Sequence, residues 1–150
     1  MIKREKNKKA GFSLVELLVV IAIIGVLATL AVISLQQARK SARDAKRIAD
    51  IKQIQTALEL YFNDWQKYPS DLVAGASIAY DSSSVYMAIV PSGPSPADGS
   101  CLSSSYNYHQ INSGASYVIE FCLGGSTGNL DAGIKCATPT GITSTSTACN

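Results

Sequence analysis

This chain of 150 residues lacks the sequence motifs of known enzyme chemistries. Cysteine and proline are also absent from its first 68 positions. His109 is the single histidine, so a Ser-His-Asp or Cys-His arrangement has one candidate and no supporting motif. No phosphate-binding loop, histidine-rich metal pattern or dinucleotide fingerprint occurs. The sequence therefore argues against an enzyme, and it predicts no catalytic residue, no metal site and no cofactor.

Glycine and proline are both absent between Val26 and Tyr68, which favours one long helix. A helix from about Phe12 to Trp65 would be about 80 Å long at 1.5 Å per residue. Pro69 disfavours the α conformation at Tyr68 and is expected to end the helix. In residues 34–68, the amphipathic continuation, apolar side chains recur at spacings of three and four. The predicted buried stripe consists of Ala45, Ile48, Ile51, Ile54, Leu58, Tyr61, Phe62 and Trp65.

Residues 12–33 are apolar enough to cross a membrane. As a helix these 22 residues span about 33 Å, which suits a bilayer core of about 30 Å. Glu16 is the one ionisable residue of the segment. An ionised side chain at such depth costs roughly 2.5–3.5 kcal/mol on insertion scales, so this carboxylate is expected to have a function and a partner.

The junction before this segment has a distinctive order. A basic leader ends in Gly11, and Phe12-Ser13-Leu14-Val15-Glu16-Leu17 follows it. In an ordinary secretory signal cleavage comes after the apolar run, whereas a cut after Gly11 would leave the run on the mature protein. This pattern resembles the prepilin signal of type IV pilins and of the related pseudopilins of type II secretion.

The resemblance implies a specific processing and assembly route. A membrane-embedded prepilin peptidase would remove the leader, residues 1–11, and N-methylate Phe12. An assembly platform of the inner membrane would then stack the subunits through their apolar helices into a helical homo-oligomeric filament. In that filament the Glu16 carboxylate is expected to accept a charge-assisted hydrogen bond from the Phe12 amine of a neighbouring subunit. The precursor would be a single-pass protein of the cytoplasmic membrane, and the filament would be extracellular.

All four cysteines lie in the C-terminal third: Cys101, Cys122, Cys136 and Cys149. An even number in a small exported domain predicts two disulfides and an oxidising compartment. Structural zinc is disfavoured because no C-x₂-C or C-x₄-C pair occurs. Three pairings remain open. Short loops within a Ser- and Gly-rich region favour Cys101–Cys122 and Cys136–Cys149.

The composition changes at Pro69, beyond which all prolines and nine of the eleven glycines lie. A loop is expected over 71–84, followed by a strand over 85–90. A hairpin is predicted with strands 106–109 and 116–123 around the turn Asn112-Ser113-Gly114, and a last strand over 134–137. The expected fold class is α+β: a long N-terminal helix, membrane-spanning in its first half, packed on a small antiparallel head formed by residues 69–150.

Charge is unevenly distributed along the chain. The net charge is +2, but the leader has five basic residues and one acidic residue, so the remainder is near −2. The segment 39–47 is interpreted as a solvated helix face, or one that meets acidic lipid or a neighbouring subunit, in preference to a nucleic-acid patch. Arg43 and Arg47 are expected to meet Asp50 and Asp44 on that face.

Asp98-Gly99, Asn129 and Asp131 are typical of turns, and they are also residues that could bind calcium. The turn interpretation is preferred.

Three hypotheses of function follow, in descending order: a filament subunit for adhesion, motility or DNA uptake; a type II secretion pseudopilin; and a secreted or membrane-anchored binding module without a filament role.

Overall fold

The computed structural model describes residues 11–143 and Cys149. The predicted leader, except Gly11, and most of the hydroxyl-rich segment after Thr143 lie outside the described residues. The chain divides into two compact units, Met1–Gln37 and Ala38–Asn150. One helix, α1, runs over Leu14–Trp65, and antiparallel strands follow it in the second unit. This layout confirms the α+β fold class.

Helix α1 begins two residues after the predicted Phe12 and ends at the predicted Trp65. At its end Gln66 adopts the left-handed conformation, with φ at 53°, and its N–H still donates to the Phe62 carbonyl at 2.8 Å. Pro69 follows three residues later. The helix therefore ends through a left-handed residue just ahead of the proline that was expected to stop it.

Four strands form the main sheet, in the order β3-β4-β5-β6, with every neighbouring pair antiparallel. Their bounds are β3 Asn107–Ile111, β4 Ser116–Leu123, β5 Gly133–Thr138 and β6 Gly141–Thr143. A separate two-stranded sheet pairs β1 Ile78–Ala79 with β2 Val85–Met87.

The β3–β4 hairpin is confirmed. A short 3-10 turn over Asn112–Gly114 joins the strands, and the register pairs Ile111 with Ser116 and Tyr108 with Ile119. Gly114 has a φ of 94°, and a Cβ there would lie 3.1 Å from Gln110 Nε2 and 3.2 Å from Lys67 Cβ. This position therefore needs glycine for its backbone angle and because two side chains pack closely against it.

Two strand predictions need correction. The expected loop over 71–84 contains strand β1, and the expected strand over 85–90 ends at Met87. The backbone of Val90 instead bonds to the preceding loop, since its N–H donates to the Ala76 carbonyl at 2.7 Å and its carbonyl accepts from Gly75 at 2.9 Å. The predicted strand over 134–137 is present within β5, whereas β6 was not predicted.

The core of the second unit lies between α1 and the main sheet. From α1 it contains Ile51, Ile54, Ala57, Leu58 and Tyr61, and from the sheet it contains Tyr108, Tyr117, Ile119, Phe121, Leu123 and Ala137. The alternation of Tyr117, Ile119 and Phe121 towards one face is confirmed, because all three are at most 1% exposed. Ala45 was wrongly placed in the buried stripe: it is exposed, and the buried face continues through Arg47 and Asp44 instead.

Candidate processing and assembly site

The predicted cleavage junction lies outside helix α1. Gly11, Phe12 and Ser13 have no regular secondary structure, and the Phe12 side chain is 83% exposed. Helical peptide bonds are sterically shielded and tied into hydrogen bonds, whereas a peptidase needs an accessible backbone. The Gly11–Phe12 peptide bond thus has the non-helical, exposed backbone that cleavage requires.

Ser13 and Glu16 define the start of α1. The Ser13 N–H donates to Glu16 Oε2 at 2.9 Å, and the Leu17 N–H donates to the Ser13 carbonyl at 3.2 Å. With Ser13 as the N-cap, Glu16 is the third helical residue, which is the spacing of a capping box. The carboxylate also lies where a negative charge meets the positive end of the helix dipole. The Glu16 carboxylate therefore caps the helix and also provides the negative charge that a partner amine would need.

The first unit presents an apolar helix without cover. The most apolar 18-residue window of α1 has a mean hydropathy of 3.0, and none of it is buried within the protein. Leu14, Ile24 and Ile33 are each more than half exposed, as are most of the large side chains between them. By length and composition α1 is able to cross a membrane.

A model of the prokaryotic N-terminal methylation motif matches residues 6–32. The chain carries the class III signal of type IV pilins. Type IV pilins and pseudopilins share this signal, and together with the apolar helix it fits a membrane-anchored precursor. No curated protein and no solved structure matches the chain.

The matched segment contains the three predicted site residues: Gly11 and Phe12 lie just before α1, and Glu16 lies in its first turn. The contact it gives Glu16 is the intrachain one with Ser13. The role of Glu16 towards the amine of Phe12 stays a prediction.

The cysteines form the pairs that short loops favour. Cys101 is joined to Cys122 and Cys136 to Cys149, with Cα atoms 5.7 Å and 5.5 Å apart. The first disulfide ties the connection between β2 and β3 to strand β4. The second ties Cys149, near the end of the chain, to strand β5. Two covalent closures thus tie the β2–β3 connection and Cys149 to the main sheet.

A buried ion cluster at Arg47 was not expected from the sequence. The Arg47 side chain is 1% exposed, and its Nη1 donates to Asp44 Oδ1 at 2.6 Å and to Asp98 Oδ2 at 3.3 Å. Its Nη2 donates to the carbonyl oxygens of Pro94 and Pro96 at 3.0 Å and 3.1 Å. The interpretation of this face as solvated is therefore wrong at Arg47, and the expected pairing with Asp44 is confirmed.

The same cluster fixes two further loops. Asp44 accepts hydrogen bonds from the N–H groups of Gly124 and Gly125 at 2.9 Å and 2.8 Å. Arg43 donates through Nε and Nη2 to both carboxylate oxygens of Asp98, at 2.7 Å and 2.6 Å. The expected contact of these arginines with Asp50 is wrong, because Asp50 accepts from Lys46 at i−4, and Arg43 takes Asp98 as its partner. The cluster holds the β2–β3 connection and the residues after β4 against α1.

Electrostatics reinforce this arrangement. The hydrogen bond and charge of Arg43, followed by those of Arg47, lower the pKa of the Asp98 carboxyl below its ordinary value of 3.8. The same contact raises the pKa of Arg43. Asp98 also lies in a turn, since its carbonyl accepts from Cys101 at 3.1 Å, and Asn129 lies in the turn closed by Thr127 and Leu130. Within the described residues no three His, Cys, Asp or Glu side chains converge as a metal site.

Proposed function

We propose that this chain is the structural subunit of a type IV pilus-like filament, cleaved after Gly11, methylated at Phe12 and polymerised through the apolar half of α1. The observation that carries the proposal is the prepilin signal itself: an exposed, non-helical junction followed by an uncovered apolar helix with one carboxylate in its first turn. Adhesion, motility or DNA uptake are the tasks of such a filament.

The energetics of the apolar segment support a filament. An uncovered apolar helix is stable in a bilayer or against other such helices, and it is unfavourable in water at about 25 cal/mol per Å² of apolar surface. Moving the subunit from the membrane into a filament core keeps that surface away from water. The ionised Glu16 side chain is unfavourable in both the membrane and the filament core. A hydrogen bond from the Phe12 amine of a neighbouring subunit to this carboxylate would offset that cost in the filament.

A secretion pseudopilin has the same N-terminal chemistry and is the alternative. The two disulfides of the head favour a pilin, since a surface filament is exposed to the medium for long periods and covalent closures resist unfolding there. A strain lacking the chain separates the alternatives. Loss of surface filaments with normal protein secretion supports the pilin, and loss of secretion with no filament phenotype supports the pseudopilin.

Two variants of Glu16 test its role in assembly. Glu16→Ala removes both the acceptor for the Ser13 N–H and the charge, whereas Glu16→Gln keeps an acceptor and removes the charge alone. If the charge pairs with an amine in the filament, both variants abolish filaments while leader cleavage and the folded head persist. Wild-type filament yield from Glu16→Gln would show that helix capping suffices, and the assembly role would be rejected.

A further inference from the structure

The second unit has a net acidic end where α1 stops, since the carboxylates there outnumber the cation Lys67. Three exposed carboxylates lie near it: Asp64 in the last turn of α1, Asp71 after Pro69, and Asp81 after strand β1. No basic residue lies in the last turn of α1, although cations are favoured there because the helix dipole is negative at its C-terminus. Among the described side chains, none of the three carboxylates has a basic partner within ion-pair distance.

The acidic end is held rigidly by aromatic side chains. The Trp65 ring stacks on Tyr80 with centroids 3.5 Å apart, and Trp65 Nε1 donates to the Tyr86 hydroxyl at 2.9 Å. That hydroxyl donates to Asp64 Oδ2 at 2.7 Å. Asp81 accepts from the backbone and hydroxyl of Ser83, which lowers its pKa. Hydrogen bonds therefore hold the carboxylates of Asp64 and Asp81 in place before any partner arrives.

A basic segment lies at the opposite end of the same part of α1. Arg39 and Lys52 are exposed, Lys40 is half-buried, and Lys46 remains 56% exposed although it bonds to Asp50. The buried ion cluster uses Arg43 and Arg47 with Asp44 and Asp98, so these four charges cancel. The basic segment, defined as Arg39, Lys40, Lys46 and Lys52, thus keeps a net positive charge.

The two ends cannot neutralise each other within one subunit. Arg39 and Asp64 are 25 residues apart on one helix, a separation of about 37 Å along its axis. The Debye length at physiological ionic strength is about 8 Å. A second copy of the chain supplies both complements, the basic segment for the acidic end and the acidic end for the basic segment.

We infer that the basic segment of one subunit docks on the acidic end of another copy of this chain. The inference rests on the proposed filament function and deepens it, because it names a contact between heads. Such a contact joins two different surfaces of the same molecule, so its repetition in one direction, as the stacked apolar helices of a filament would impose, builds an open helical array. Charge complementarity then sets which subunits come together and in which register.

Charge reversal and charge exchange in the full chain test the inference. Arg39→Glu with Lys52→Glu, at exposed positions outside the ion cluster, is expected to lower surface filament yield about tenfold, the equivalent of 1.4 kcal/mol. Asp71→Lys is expected to lower it similarly. Combining all three changes gives positions 39 and 52 the opposite charge to position 71 again, with the signs exchanged, and should raise the yield about threefold above that of either set of changes alone.

Lys67→Glu is the matched control. It is the same change of sign, but it lies at the acidic end, where Lys67 is placed over the Tyr80 ring at 5.8 Å. It is expected to leave the yield unchanged or to raise it. A yield that falls with Arg39→Glu and Lys52→Glu but is not raised by adding Asp71→Lys would overturn the inference and indicate an anionic lipid surface as the partner of the basic segment.

Zero-length crosslinking of purified filaments gives a second test that does not depend on variants. Carbodiimide should join Lys40, Lys46 or Lys52 to Asp64, Asp71 or Asp81, and mass spectrometry should find these links in dimers and higher species. Filaments that contain no such links would overturn the inference and leave the filament function intact. Absence of filaments from the unchanged chain would instead reject the proposed function itself.

Discussion

Replacing Arg47 with alanine should destabilise the head far more than replacing any exposed cation of α1. The change removes four hydrogen bonds from a side chain that is 1% exposed. Removing one partner of a buried ion pair typically costs about 3–5 kcal/mol. Asp44 keeps its two backbone donors and Asp98 keeps Arg43. We therefore expect about 3 kcal/mol, at the lower end of that range.

Thermal unfolding of the full chain in detergent micelles measures the effect. Near-ultraviolet circular dichroism reports the head directly, because the stacked Trp65 and Tyr80 rings give a signal that depends on tertiary packing. A loss of about 3 kcal/mol corresponds to a fall in Tm on the order of 10 °C for a domain of this size. Arg39→Ala is the control, since an exposed substitution changes stability by about 0.5 kcal/mol or less. An Arg47→Ala variant as stable as this control would refute the assigned role of the buried cluster.

Three further predictions follow from the same structure. The pKa of Asp98 is lower in the folded protein than in the unfolded chain, where it is near 4. Its contribution to stability is therefore present above that unfolded pKa and is lost as the pH falls through the folded pKa. Asp98→Asn should accordingly reduce the fall in Tm that acid pH produces. Burial raises the pKa of four tyrosines: Tyr68, Tyr106, Tyr108 and Tyr117. Because these phenols ionise more easily in the unfolded chain, this effect should lower stability only above about pH 10, and absorbance at alkaline pH should show them ionising together with unfolding. Opening either disulfide by paired Cys→Ser changes should cost about 3 kcal/mol, and thiol labelling of the folded, exported protein should find no free cysteine.

The parts of this fold that the sequence predicts depend on local rules. The stretch before Pro69 that contains neither glycine nor proline is enough to predict the helix. The turn residues Asn112–Gly114, followed by a segment in which apolar and polar side chains alternate, are enough to predict the hairpin. The order of Gly11, Phe12 and Glu16 is enough to identify the processing signal. Each of these patterns lies within one helix or one hairpin, where spacing along the chain determines the geometry.

The parts that could not be predicted depend on contacts between distant residues. Arg47 meets Asp98 across 51 residues and Arg43 meets it across 55, so helical spacing alone cannot show which acid becomes the partner. Strand β1 has two residues and β6 has three, too few for any alternation to be visible. Their pairing depends on loops that the core and the disulfides hold in place.

The mass of the N-terminal peptide from purified surface filaments tests the central claim most directly. The account predicts a subunit that begins at Phe12 and carries one additional methyl group on its amine. A filament subunit that begins within or after the apolar run, for example at Val32, would contradict it, because the helix assigned to the filament core would then be missing from the mature protein.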